Sequence, residues 1–263
     1  MSFKKDSATY TITPMYYGRF PSYEKSTLQM MTGQGVKVDS PSIGFLLKGN
    51  NRNIVVDTGP GPQEEMGRLH PTLEIDFPKE ANVVAALAAE GLQPQDIDYL
   101  IFTHLHWDHC WNGEKFPGKT FYVQKSEVIY ALDPLELHAN VYEAPKAGMT
   151  PAWLRVVQQL KMIDGDVDID DGLRLLLTPG HTPGGQCVLV NTTDGPCLLA
   201  GDTVMQYENW EGNGTQKHLF SAAHVNLLDF DASLKKIEAL NAFILPSHDY
   251  KVLENKTYPV KGK

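Results

Sequence analysis

The sequence predicts two β-sheets packed face to face with helices on the outside. Each half of the chain holds a β-rich hairpin that ends in Asp-Thr, at Asp57-Thr58 and at Asp202-Thr203. Each hairpin is followed by a helix and an apolar strand ending in a polar residue and His, at Thr103-His104 and Ser247-His248. The Asp-to-His interval is 47 residues in the first half and 46 in the second. Identity between the halves is slight, so the repeat is one of pattern. In this arrangement the polar strand exits gather at one edge, between the sheets.

The elements justify this in order. Residues 9–17, rich in Thr and Tyr, read as a first strand that Pro14 interrupts. Residues 18–42 show no clear period and read as a long loop, in which Tyr23, Met30 and Met31 are candidates to line a pocket or a subunit contact. Ile43–Leu47 and Asn53–Asp57 flank Gly49-Asn50-Asn51 and form the first hairpin. A helix is expected over 78–90, with Gly91 as its stop. Ile97–Phe102 is a buried strand, and Phe121–Val123 a short one. Ser126 is expected to cap a helix ending before Asp133-Pro134. Thr150-Pro151 should open another, with Trp153, Leu154, Val157 and Leu160 on its apolar face.

Asp164–Gly172 looks at first like a calcium loop. It lacks Gly at position 6 (Ile169) and Glu at position 12 (Leu175), so it reads as a solvated turn and strand edge. Leu173–Leu177 is a strand. The second hairpin spans Gln186–Ala200, and residues 205–226 are irregular. Asp231 or Ser233 should cap a helix that buries Leu234, Ile237 and Leu240, before the last strand, Phe243–Leu245.

Composition bounds the function. The 263 residues are 42% hydrophobic and 21% charged, which suits one domain over 1–263. A net charge of −9 disfavours nucleic acid as a partner. No run approaches ~18 apolar residues, so no membrane span is expected. The N-terminus has no apolar core of a secretory signal. Three cysteines, an odd and sparse count, fit a reducing cytoplasm, and Cys110 is expected to be buried and inert. A small-molecule substrate is the expected partner, and a homodimer stays open. His70 and His138 are expected at the surface.

Thr103-His104-Leu105-His106-Trp107-Asp108-His109 carries the chemistry. Clustered His and Asp at the exit of a buried strand normally coordinate something, because unpaired polar groups there cost energy. His181, in a Pro/Gly-rich loop after a strand, and Asp202 and His248 occupy equivalent places. Five His and two Asp exceed what one tetrahedral ion needs and fit two ions that share a carboxylate. Zinc suits this set best; manganese, iron and cobalt use similar ligands. Two such ions share a water, bring its pKa to about 7 and polarise a carbonyl. Asp108 is placed to handle a proton as well.

The chain resembles the metallo-β-lactamase superfamily. His104-Leu105-His106-Trp107-Asp108-His109 matches its H-x-H-x-D-H motif, and Thr-Pro-Gly-His181, Ala-Gly-Asp202-Thr and Pro-Ser-His248-Asp match its later metal motifs. Asp57 in Val-Asp-Thr-Gly matches an early supporting aspartate. The resemblance implies an αββα sandwich of two mixed sheets flanked by helices. It places His104, His106 and His181 on one ion, Asp108, His109 and His248 on the other, and Asp202 between them.

Within the superfamily, β-lactamases of the commonest kinds carry Cys where Asp202 stands. Glyoxalase II-like thioesterases carry a helical extension, for which Asp249 to Lys263 are too few. Diiron redox proteins of this fold need a flavodoxin domain. The pattern is most similar to the N-acyl homoserine lactonase family, which implies ring opening of a lactone by a metal-bridging hydroxide, an activity known as quorum quenching. Thioester, other ester or phosphodiester hydrolysis is the alternative.

One departure stands out. That family usually has Tyr three residues after the bridging Asp, where it helps hold the lactone carbonyl. Here Met205 occupies the position, and Tyr207 is the candidate substitute, expected to act in catalysis beside Asp108. Trp107, Met205, Tyr207, His218 and Phe220 are the candidate substrate-binding residues. Trp111, Trp210 and His224 are weaker candidates; His218 and His224 are also weighed as extra ligands.

Overall fold

The computed structural model describes residues 3–260. Strands β1 (Tyr10–Glu24), β2 (Lys37–Gly49), β3 (Arg52–Val56), β4 (Tyr99–Ile101), β5 (Thr120–Gln124) and β6 (Leu160–Ile163) form one sheet in that order. Strands β7 (Val167–Asp170), β8 (Leu173–Leu177), β9 (Gln186–Thr192), β10 (Gly195–Leu199) and β11 (Phe243–Leu245) form the second, in the order β11-β10-β9-β8-β7. Both sheets are mixed. In the first, β1–β3 are antiparallel and β3–β6 parallel. In the second, β7–β10 are antiparallel and β11 is parallel to β10.

Seven α-helices are described: α1 (Lys25–Leu28), α2 (Gln63–Leu69), α3 (Val83–Ala89), α4 (Trp107–Cys110), α5 (Lys125–Leu132), α6 (Tyr207–Glu211) and α7 (Leu227–Glu238).

Side-chain alternation explains the layers. On β3, Val55 packs outward with Leu87 of α3 and Leu100, while Ile54 and Val56 face the second sheet. On β9, Val188 and Val190 meet that inner core, while Cys187 and Leu189 pack on Phe230, Leu234 and Ile237 of α7. Strands buried on both faces read as continuous apolar runs, which is the pattern of Ile54-Val55-Val56 and Cys197-Leu198-Leu199. Each such Val, Leu or Ile contributes about 1.5–3 kcal/mol on burial. The result is the expected four-layer αββα sandwich.

The duplication is real in space. Hairpin β2/β3 is followed by β4, which pairs parallel to β3. Hairpin β9/β10 is followed by β11, which pairs parallel to β10. Cross-links between the sheets match as well. Gln186 N, at the start of β9, donates to Thr103 O at 2.9 Å, and Ile43 N, in β2, donates to Ser247 O at 3.1 Å.

Several expectations need correction. The long loop over 18–42 is mostly strand, since β1 runs to Glu24 and β2 begins at Lys37. Register shifts between Tyr16 and Arg19 and between Phe20 and Tyr23 break the two-residue period that would have marked the strand. Pro14 is tolerated because β1 is an edge strand.

Helix starts were also misplaced. Helix α3 begins at Val83, capped by the Asn82 side chain. Helix α5 leaves β5 directly, and Ser126 lies inside it rather than capping it. Residues 152–159 form a 3-10 helix kinked at Val156, which buries Ala152, Trp153 and Val156 and leaves Val157 exposed. Asn226 caps α7, in place of Asp231 or Ser233. The irregular stretch 205–226 includes α6. Cys110 is buried, as expected, and burial pushes its pKa well up. No helix among the described residues is long and apolar enough to cross a membrane.

Candidate metal centre

Strands β3, β4, β8, β10 and β11 end at one edge of the sandwich, and every candidate ligand follows a strand end there. After β4 the chain bends at Thr103, is extended at His106 and then turns into α4. Leu105 points into the outer core, so His104 and His106 point the other way. The buried Glu127 carboxylate holds this loop in place. It accepts from Leu105 N at 3.0 Å, Tyr142 Oη at 2.8 Å and Gly184 N at 3.1 Å. One carboxylate thereby ties the His104 loop to the His181 loop. Burial raises its pKa, and these three donors act to lower it.

The glycines beside His181 are steric requirements. A Cβ on Gly184 would lie 2.1 Å from Glu127 N. Gly180 has φ +142°, and its Cβ would lie 2.4 Å from Phe230 Cα.

The ligands divide into two groups around Asp202. His104, His106, His181 and Asp202 form one, and Asp108, His109 and His248 the other, with the ligand atoms of each within 4.8 Å of one another. His181 Nε2 lies 3.3 Å from His104 Nε2 and 3.1 Å from His106 Nδ1. Asp202 Oδ2 faces this group, 3.3 Å from His181 Nε2 and 3.9 Å from His104 Nε2. Its Oδ1 faces the other, 3.2 Å from both His109 Nε2 and His248 Nε2. Asp108 Oδ2 stands 3.7 Å from His109 Nε2 and 3.9 Å from His248 Nε2.

Two tests say that metal ions fit. The edge of a tetrahedron of nitrogens about zinc is ~3.3 Å, given bonds of about 2.0–2.1 Å; the short separations here match it. Among the described residues His109 Nε2 is also sealed from solvent without a hydrogen-bond partner, an orphaned polar atom that an ion would satisfy.

The outer ring nitrogens are held in place. His181 Nδ1 pairs with Ala223 O at 2.6 Å and His248 Nδ1 with Pro41 O at 2.8 Å. His109 Nδ1 pairs with Asp57 Oδ2 at 2.8 Å. His104 Nδ1 meets Thr103 Oγ1 at 3.1 Å, and that hydroxyl donates to Asp57 Oδ2 at 2.7 Å. Such partners set the tautomer and turn the lone pair toward the site.

The electrostatics differ between the groups. Burial holds His104 and His106 well below the usual imidazole range, and the neighbouring histidines add to this. Burial acts the same way on His109, but Asp202, Asp108 and Asp57 outweigh it and hold its pKa well up. Burial would raise the Asp202 pKa; His109 and His248 outweigh that and hold it well below the usual carboxylate range.

A cavity of about 310 Å³ opens on this centre. Of the expected pocket residues, Trp107 and Met205 line it, as does Tyr23 from the stretch 18–42, whereas Met30 and Met31 do not. Tyr207, His218 and Phe220 do not. Tyr207 lies on α6, packed on the inner core with Lys251 Nζ 5.6 Å from its ring centre. His218 is tied to Trp210 O and Glu238 at 2.6 Å each, and Phe220 packs on Phe230. The short α6 after Asp202 turns residue 207 away, a path that spacing alone does not reveal. Trp111 is buried under Arg155, whereas His224 lines the cavity.

His70, expected at the surface, is buried. It pairs with Glu143 at 3.0 Å and stacks on Trp107 with ring centres 4.3 Å apart. His138 is half-buried and lines the cavity. Sequence reasoning missed the roles of Glu127, Tyr142 and His70, since a buried polar residue carries no periodic signal of its own.

Comparison with known proteins agrees with this geometry. The Metallo-beta-lactamase superfamily profile matches residues 39–248. An N-acyl homoserine lactonase of Bacillus sp is 30% identical over 203 residues, covering 72% of this chain and 74% of that protein. A solved N-acyl homoserine lactone hydrolase, with the product N-hexanoyl-L-homoserine at its catalytic metal centre, has a TM-score of 0.76 at 24% identity and covers 99% of both chains. AidC, a dizinc quorum-quenching lactonase, has a TM-score of 0.68 at 17% identity, covering 94% of this chain and 90% of its own. The chain belongs to the metallo-β-lactamase superfamily and, within it, stands with the N-acyl homoserine lactonases.

Proposed function

We propose that this protein is a dinuclear metal-dependent hydrolase that opens the ring of a lactone of the N-acyl homoserine type. The observation that carries it is Asp202, whose two oxygens face two separate groups of ligands. His104, His106 and His181 would hold the first ion, and Asp108, His109 and His248 the second. Imidazole and carboxylate donors suit zinc, the metal of the AidC relative, and also manganese, iron and cobalt. Two ions held here would lower the pKa of a water to about 7 and polarise an ester carbonyl.

The chain's own residues do the rest. Asp108 faces the cavity and is the group to take a proton at the carboxylate oxygen turned away from His109 and His248 and return it to the departing ring oxygen. Trp107, Met205, Leu73 and Val141 offer an apolar wall for an acyl group. His70 and Glu143 brace Trp107 from behind.

A panel of lactones, thioesters and phosphodiesters, assayed with and without chelator and paired with metal analysis, tests the reading. The expected result is fastest turnover on lactones, lost on chelation, with two metal equivalents per chain. Faster thioester or phosphodiester turnover would replace the lactone assignment, and a chelator-insensitive rate would remove the metals from it.

A further inference from the structure

Two side chains of the cavity wall bear on a question that the metal centre leaves open: which protein group donates a hydrogen bond to the substrate. Met205 has no donor. Tyr23 has one. It lies near the end of β1, just past the second register shift against β2. Bulged strands re-aim side chains in this way. Its ring packs edge-on against Phe20 at 5.4 Å, and the Phe20 ring lies 6.3 Å from that of His248. Tyr23 lines the cavity together with Asp108, Asp202 and His248.

Its hydroxyl differs from those of the buried tyrosines. Tyr17 Oη donates to Asp57 O, Tyr142 Oη to Glu127 and Tyr258 Oη to Val252 O. Tyr23 Oη has no hydrogen-bond partner among the described residues, and it is not sealed off from the cavity. The charges that act on it are Asp108 and Asp202, the carboxylates on either side of the second ligand group. Ser40, also on the wall, already donates to His248 O at 3.5 Å.

We propose that the Tyr23 hydroxyl is a catalytic residue that donates a hydrogen bond to an ester oxygen of the substrate seated in front of Asp108 and Asp202. The inference rests on the ester-hydrolase reading above. A phenol is a donor without charge at neutral pH, and the adjacent carboxylates are acceptors committed to the metal ligand set. A substrate oxygen is the partner left for it. A donor aimed at an oxygen that gains negative charge works mainly in the transition state, so kcat should suffer more than KM. Tyr207, off the cavity, has no such part.

The test compares Tyr23→Phe with Tyr207→Phe. Each is assayed on whichever panel ester the parent turns over fastest, so failure of the lactone assignment leaves the comparison intact. Tyr23→Phe should lower kcat/KM by about 10²-fold, mostly through kcat, with metal content and Tm kept. Tyr207→Phe should stay within about twofold of the parent, since it removes no cavity donor. A lactone and its thiolactone counterpart locate the bond. An equal penalty on both assigns it to the carbonyl, and a penalty on the lactone alone assigns it to the ring oxygen.

Binding supplies a readout independent of turnover. The ring-opened hydroxy acid, titrated into the parent, should give a tyrosine difference spectrum that Tyr23→Phe abolishes and Tyr207→Phe keeps. A Tyr23→Phe protein within about threefold of the parent in kcat/KM overturns the proposal. So does an unchanged difference spectrum, or a loss of metal, which would make Tyr23 a support of the centre instead.

Discussion

The two halves of the molecule use one pattern for two different purposes. In the first, Asp57 follows the β2/β3 hairpin and accepts a hydrogen bond from Thr103 Oγ1, the residue before His104. In the second, Asp202 follows the β9/β10 hairpin and accepts one from Ser247 Oγ at 2.8 Å, the residue before His248. The partners are equivalent, yet the carboxylates are not. Asp57 is filled by protein donors: Thr103 N and Oγ1 and His109 Nδ1, all within 2.8 Å. Its backbone also sits at φ +59°, a conformation tolerated best by Asn, Asp and Gly. Among the described residues Asp202 has a single hydroxyl or backbone donor, and its other lone pairs face imidazole nitrogens across both ligand groups. A carboxylate saturated by donors orients ligands, and one left open to lone pairs becomes a ligand.

Substitutions at equivalent positions can break this comparison. The largest effect is expected at Asp202→Asn. It should lower kcat/KM by at least ~10²-fold and reduce bound metal below two equivalents, because it turns one of the two oxygens facing the groups into an amide nitrogen and removes the charge they share. Asp57→Asn should act first through His109, its direct partner, and more weakly through the Thr103 hydroxyl that links it to His104. Metal affinity should fall by about 10–100-fold, with one equivalent lost to chelator before the other. Simultaneous loss of both equivalents in Asp57→Asn would erase the distinction between the two aspartates.

The hydroxyl residues should give the smallest effects. Ser247→Ala removes one bond to a carboxylate, worth about 1.5–3 kcal/mol at most. Thr103→Ala breaks the relay from His104 to Asp57 as well and should cost more, read as a lower Tm in the metal-loaded protein. A larger loss for Ser247→Ala would mean that Asp202, not Asp57, depends on its hydroxyl neighbour for position.

Much of this was legible from residues alone. Strand β8 and strand β11 match their expected bounds, because apolar runs between turn residues are local signals. The αββα layering followed from the repeated hairpin, helix and strand. The candidate ligands also fall into two groups in space, since they are anchored to strand ends whose order the pattern sets.

Other features depended on contacts between distant parts of the chain. Tyr23 reaches the cavity because β1 is bulged, and a bulge erases the alternation by which a strand is recognised. Tyr207 misses it because α6 intervenes two residues after Met205. His70 is buried because Glu143, 73 residues away, gives its ring nitrogen a partner. The amino-acid sequence by itself determined the layers and the candidate ligand set, because both are written in local periodicity and residue chemistry. Only the tertiary structure decided which carboxylate stays open to metal and which tyrosine faces the cavity, because those outcomes depend on which distant donors arrive first to satisfy each buried polar group.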